Sequence, residues 1–148
     1  MLNNELAEIF ERDLNKLKNE ISYYTDERNL WYVEESINNS AGNLCLHIVG
    51  NLNHFVGAVL GGDGYIRERD KEFSLKNIPK DELISSIDNL IGTLKKSFSK
   101  MSDEVLNKIY PINVYQKEMT TRFFLVSLAA HLNYHLGQVN YHRRLLDK

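Results

Sequence analysis

One cysteine, Cys45, in 148 residues excludes an internal disulfide and suits a reducing compartment. Two prolines, Pro79 and Pro111, leave long stretches free of the residue most damaging to helices. No run of about 18 apolar residues occurs, so no membrane-spanning helix is expected. The opening MLNNELAEIFERDL is amphipathic and acidic and does not read as a secretory leader, which makes a cytoplasmic protein the expectation. There is no basic excess: 18 Lys and Arg stand against 20 Asp and Glu, for a net charge of −2. Nucleic-acid binding therefore has no electrostatic footprint. No Ser-His-Asp arrangement is visible, and Gly61-Gly62-Asp63-Gly64 reads as a helix terminator, not a phosphate loop. What remains is an ordinary globular composition, 43% apolar and 26% charged, expected to form one domain over residues 1–148.

The hydrophobic period is helical almost throughout, which predicts an all-α fold with four long helices. Leu2, Leu6, Ile9, Leu14, Leu17, Ile21 and Tyr24 mark a first helix over residues 2–24. Asn38, Asn39 and Ser40 offer N-caps for a second, from Ala41 to Leu60. Residues 62–79 hold turn signals and no sustained period, and read as a long crossing connection. Pro79 followed by Asp81 and Glu82 opens a third helix, with Leu83, Ile87, Leu90, Leu94 and Phe98 on its apolar face. Residues 102–109 form a short helical turn, and the last helix runs from Thr120 to Leu146.

In that last helix Phe124, Leu128, His131, His135, Gln138, His142 and Leu145 recur at steps of three and four, one seam facing the other helices. Four of the seven are polar. A buried polar group without a partner costs about 1–3 kcal/mol, so several together call for a shared explanation. A metal ion is the simplest. His131 and His135 are one turn apart on one face, and His47 from the second helix could supply a third imidazole. Three imidazoles with an open position resemble catalytic zinc sites; imidazole equally suits nickel, copper or iron, and manganese is a further candidate. The alternative is that these histidines are hydrogen-bonded core or partly exposed residues. Gln138 would support the site or face a substrate. Asn51, one turn beyond His47, either faces the pocket or caps an internal hydrogen-bond network.

The string HLNYHLGQ resembles the last-helix signature of the DinB/YfiT-like superfamily, which reads HxxxHxGQ. The segment HIVGNLNHFVGAVLGGDGYIRERDKEF, residues 47–73, is similar to the DUF1572 branch, with its His-x-x-Gly-Asn start and Arg-x-Arg-Asp-x-Glu-Phe continuation. The position of Trp31 also fits, so the resemblance spreads over residues 31–146. It implies a four-helix bundle of up-down-down-up topology with a crossover between helices two and three, in a homodimer. It also implies a metal held by His47, His131 and His135. Many members carry Arg directly after the second histidine of the pair, where this chain has Leu136. Antiparallel second and fourth helices, as the crossover implies, would carry His54 and His142 to opposite ends, so neither is expected to be a ligand.

By the same resemblance the function is that of a metal-dependent transferase or hydrolase acting on a small-molecule substrate. Its metal would activate a low-molecular-weight thiol or a water. A non-catalytic dimeric metal-binding stress-response protein acting through protein partners, its metal structural or absent, is the alternative. Arg67, Arg69, Asp70 and Glu72 are expected to pin the crossover as an Arg–carboxylate network, with an anion contact as the sharper option. Gly42, Gly50 and Gly57 are expected to allow close helix approach. Cys45 should be buried and inert. Tyr134 and Tyr141 should serve packing or an interface, with a tyrosine lining the pocket as the alternative, and Asp13 and Glu20 should lie on a solvated face, the alternative being an approach to the metal region.

Overall fold

Residues 1–148 are described by a computed structural model, and the chain is all-helical. The helices are α1 (Leu2–Ser22), α2 (Ala41–Leu52), α3 (Arg69–Ser74), α4 (Lys80–Phe98), α5 (Asp103–Asn107) and α6 (Thr121–Leu146). A 3-10 helix covers Glu27–Trp31, and a π-helical turn, Asn53–Ala58, continues α2. None of the helices is long and apolar enough to cross a membrane.

Side-chain chemistry sets the helix starts. Ser40 Oγ accepts from Asn43 N, Ser102 Oγ from Val105 N and Thr120 Oγ1 from Phe123 N, each meeting a donor the first turn leaves unpaired. Pro79 precedes α4, whose first turn carries Asp81 and Glu82. Gly62 and Gly64 adopt φ of +65° and +80°, which few other residues tolerate, and end the second helical segment.

Side-chain pairs fix the helix directions. Lys18 bonds Asp88 at 2.8 Å while Lys95 bonds Glu11 at 2.7 Å, so α1 and α4 run antiparallel. Asp13 meets Asn133, and Glu20 meets Asn140 at 2.8 Å, so α1 and α6 run parallel. His47 meets His131 while Phe55 packs on Phe124, so α2 and α6 run antiparallel. A Cβ on Gly57 would lie 2.9 Å from Thr93, and one on Gly61 would strike Ser97, so the second segment runs parallel to α4. The core joining them includes Phe10, Leu14, Leu17, Ile48, Leu52, Leu83, Ile87, Leu90, Phe124, Leu128 and Leu132, all buried.

Several expectations need correction. The second helix is not uniform: its last turns are π-helical, and Tyr110 donates to the Phe55 carbonyl there at 2.7 Å. A side chain entering the hydrogen-bond ladder is a recognised cause of such irregularity. The crossing connection contains α3, too short to show a period. Asp13 is not solvated: its side chain is fully buried, bonded by Arg12 and Asn133, because α6 covers that side of α1. Glu20 is partly buried, held by Asn140 and Arg143. Burial pushes the Asp13 pKa up, but bonds from Arg12 and Asn133 outweigh it and hold the carboxyl below its ordinary value.

Cys45 is buried without a polar partner, and burial pushes its thiol up to about 12. A thiol reagent should therefore leave the native protein unmodified and titrate one group after unfolding. Fast labelling in native buffer would mean that α2 opens locally.

Candidate metal centre

Helix α2 brings His47, and α6 brings His131 and His135, to one point. One nitrogen from each lies within 4.8 Å of the others. His131 Nε2 is 3.3 Å from His47 Nε2 and 3.0 Å from His135 Nε2. Tetrahedral zinc with bonds of roughly 2.0–2.1 Å places its ligand nitrogens about 3.3 Å apart, close to the two spacings at His131. His47 is buried, and His131 and His135 are half-buried. No fourth His, Cys, Asp or Glu joins the group.

The outer nitrogens are as informative as the inner ones. His47 Nδ1 lies 3.0 Å from Glu72 Oε1, so its Nδ1–H donates to that carboxylate. His135 Nδ1 lies 2.7 Å from Gln138 Oε1 and donates likewise. Both rings are thus held in the tautomer whose bare Nε2 lone pair points inward. Two inward lone pairs facing a third imidazole make a group that could hold a metal ion, since one N–H on His131 Nε2 could not serve both well.

Glu72 comes from α3, in the middle of the crossing connection. Its carboxylate also receives Arg67 Nε at 2.8 Å and Nη2 at 2.9 Å. Burial raises the Glu72 pKa, but the bonds from Arg67 and His47 prevail and keep it below the usual carboxylate range. Asn43 ties the same segment to α2 by donating to the Glu72 and Leu75 carbonyls, each at 2.9 Å. Phe73 packs on the His47 ring with centroids 5.0 Å apart. Burial, then the neighbouring His135 and His47, pushes the His131 pKa down to about 4. Burial lowers that of His135, against the Gln138 bond. Both are neutral at pH 7, the form that can bind a cation.

The sequence-derived residues separate accordingly. His47, His131 and His135 converge, with Gln138 on His135. Asn51 is buried and caps no network through its Oδ1, which has no partner. His54 sits in the π turn against Phe55 and outside the cluster. His142 is buried elsewhere, bonded to Tyr24 Oη at 2.6 Å and the Tyr32 carbonyl at 2.8 Å. The predicted seam holds at Phe124, Leu128 and His142, which are buried, and fails at Gln138 and Leu145, which are exposed, while Leu132, Leu136 and Val139 are buried beside it. Helix α6 packs on α1 as well as α2, so its buried arc centres between the two. Tyr134 and Tyr141 are 65% and 64% exposed and take no part in the core packing.

Glu72 is the residue that sequence reasoning placed only in the crossover network. The signal for its second role was Gly50, one turn from His47. A Cβ there would lie 2.6 Å from Glu72 Cδ. Gly50 admits the Glu72 side chain of α3, and Gly42 similarly admits the Trp31 ring.

No match was found among curated proteins. The family model described as a protein of unknown function, DUF1572, matches residues 3–148 and thus almost the whole length, and the chain belongs to that family.

Proposed function

We propose that His47, His131 and His135 hold one divalent metal ion, zinc first among the candidates, in a metal-dependent enzyme of the DinB-like superfamily. The observation that carries this reading is the pair of bare Nε2 atoms, on His47 and His135, turned toward His131 by Glu72 and Gln138. Structural zinc sites have four protein ligands, whereas three with an open position suit catalysis. A divalent ion held there supplies Lewis acidity, lowering the pKa of a water or small thiol at its free position toward neutrality. The protein's part is to hold three neutral imidazoles, to keep Glu72 ionised through Arg67, and to cover His47 with Phe73. This suits an S-transferase or hydrolase-like reaction that needs no protein general base. The helix directions support an up-down-down-up four-helix bundle of α1, α2, α4 and α6, with the α3 segment as its crossover.

The test is elemental analysis of untagged protein beside a His131→Ala/His135→Ala variant. The expected result is near one ion per chain in the parent and little in the variant. A parent without metal after incubation with Zn²⁺, Ni²⁺ and Mn²⁺ would sink the reading. It would favour a non-catalytic homodimer working through protein partners, to which the exposed row of Phe123, Val126, Tyr134 and Tyr141 on α6 lends support.

A further inference from the structure

We infer that Asn51 orients the ligand of this centre, and that the ligand carries a hydroxyl or amide N–H close to its metal-binding atom. The inference rests on the metal reading above. Asn51 lies midway between His47 and Phe55, four residues from each. His47 meets His131, and Phe55 packs on Phe124 with centroids 5.2 Å apart. Asn51 therefore sits on the α6-facing side of its helix, one turn from the centre. It is 7% exposed, and its Oδ1 is buried with no hydrogen-bond partner.

Such an oxygen lowers stability unless something donates to it. Asn3 Oδ1 shares the condition, but the Asn3 amide already ties α1 to the Met101 carbonyl at 3.0 Å. Glu72 is engaged with Arg67 and His47, Gln138 with His135, and Asn43 with the crossover carbonyls. The fold gives the Asn51 oxygen no such task. A buried acceptor one helical turn from His47 suits a ligand that arrives with a donor. A neutral carboxamide accepts from that donor without adding a charge to the pocket. Leucine has nearly the same shape and no acceptor, so Asn51→Leu isolates the hydrogen bond.

The experiment loads parent and Asn51→Leu proteins with Co²⁺ and titrates each with 2-mercaptoethanol and with ethanethiol. Binding is followed by the thiolate-to-cobalt charge-transfer absorption. Both proteins should bind Co²⁺ with equal stoichiometry. Asn51→Leu should weaken 2-mercaptoethanol by about five- to tenfold and ethanethiol by less than about twofold. It should also melt at a higher temperature, since the unpaired oxygen is gone. Equal weakening of both thiols, no weakening of either, or a lower melting temperature would overturn the assignment of Asn51 and leave the metal reading standing. A parent protein that takes up no Co²⁺ overturns both.

Discussion

Gly50→Ala should unfold at a much lower urea concentration than the parent and lose tight metal binding with it. The added Cβ would sit 2.6 Å from Glu72 Cδ and 3.2 Å from its Cγ. That carboxyl is not a free chain end. Arg67 holds it through two bonds and His47 through a third, and the Glu72 residue is only 6% exposed. Moving it aside strands the Arg67 guanidinium, whose side chain is 12% exposed. Removing one partner of a buried ion pair costs about 3–5 kcal/mol. Alanine returns about 1 kcal/mol in helix propensity, so a net loss of roughly 2–4 kcal/mol is expected. Metal affinity should fall about 10- to 100-fold, as when other outer partners of metal-binding histidines are lost. Urea unfolding in chelator and a competition titration measure the two effects. Gly92→Ala is the control, since a Cβ there meets nothing within 4 Å and should be neutral or stabilising. Matching behaviour of the two variants would refute the account of Gly50.

The metal-free protein should lose stability as the pH falls from 6.5 toward 4. His142 is 3% exposed, with Nε2–H donating to the Tyr32 carbonyl and Nδ1 accepting from the Tyr24 hydroxyl. Burial lowers its pKa, against the pull of the Tyr32 carbonyl. Burial also lowers those of His131, to about 4, and His135. In the unfolded chain all three return to about 6.5. Below that value the unfolded state binds more protons than the native one. The stability is thus full above pH 6.5 and declines as the pH drops toward the folded values. Each group contributes a slope of at most about 1.4 kcal/mol per pH unit. Melting temperatures in chelator between pH 7.5 and 4.5 should fall by several degrees, and His142→Gln should show a shallower decline between 6.5 and 5. A flat profile in the parent would contradict the placement of these rings. Glu72 and Asp13, both held below their ordinary values, enter only at lower pH.

What was legible in the sequence follows from the range of the forces involved. Helix periods are local, so α1, α4 and α6 begin and end close to where their apolar spacing and, for α4, the Pro79 signal put them. The pairing of His131 with His135 is also local, one turn of one helix. Its convergence with His47 spans 84 residues, so spacing offered His47 only as an available imidazole and the family resemblance supplied the assignment. Glu72 was harder to place. It reaches His47 through a connection with no period, and only Gly50 betrays its approach. Asp13 was misread because acidic residues on an outer helix are usually solvated, and nothing in its own neighbourhood announces Asn133. The π turn is met by the hydroxyl of Tyr110, 55 residues away from the carbonyl it bonds, which no local pattern announces. The α6 seam shifted because a helix with two neighbours buries an arc between them.

The Arg67–Glu72 pair has one more consequence, which concerns net charge. The guanidinium matches the carboxylate, and imidazole ligands are neutral donors, so the constellation contributes no negative charge of its own. A dication held by His47, His131 and His135 would keep its whole double charge in a half-buried setting where solvent screens it weakly. Chloride, acetate or phosphate in a buffer would then compete for the same position as a substrate. The choice of salt becomes a variable in any activity screen, and anionic groups become the natural class of partner for the free side of the centre.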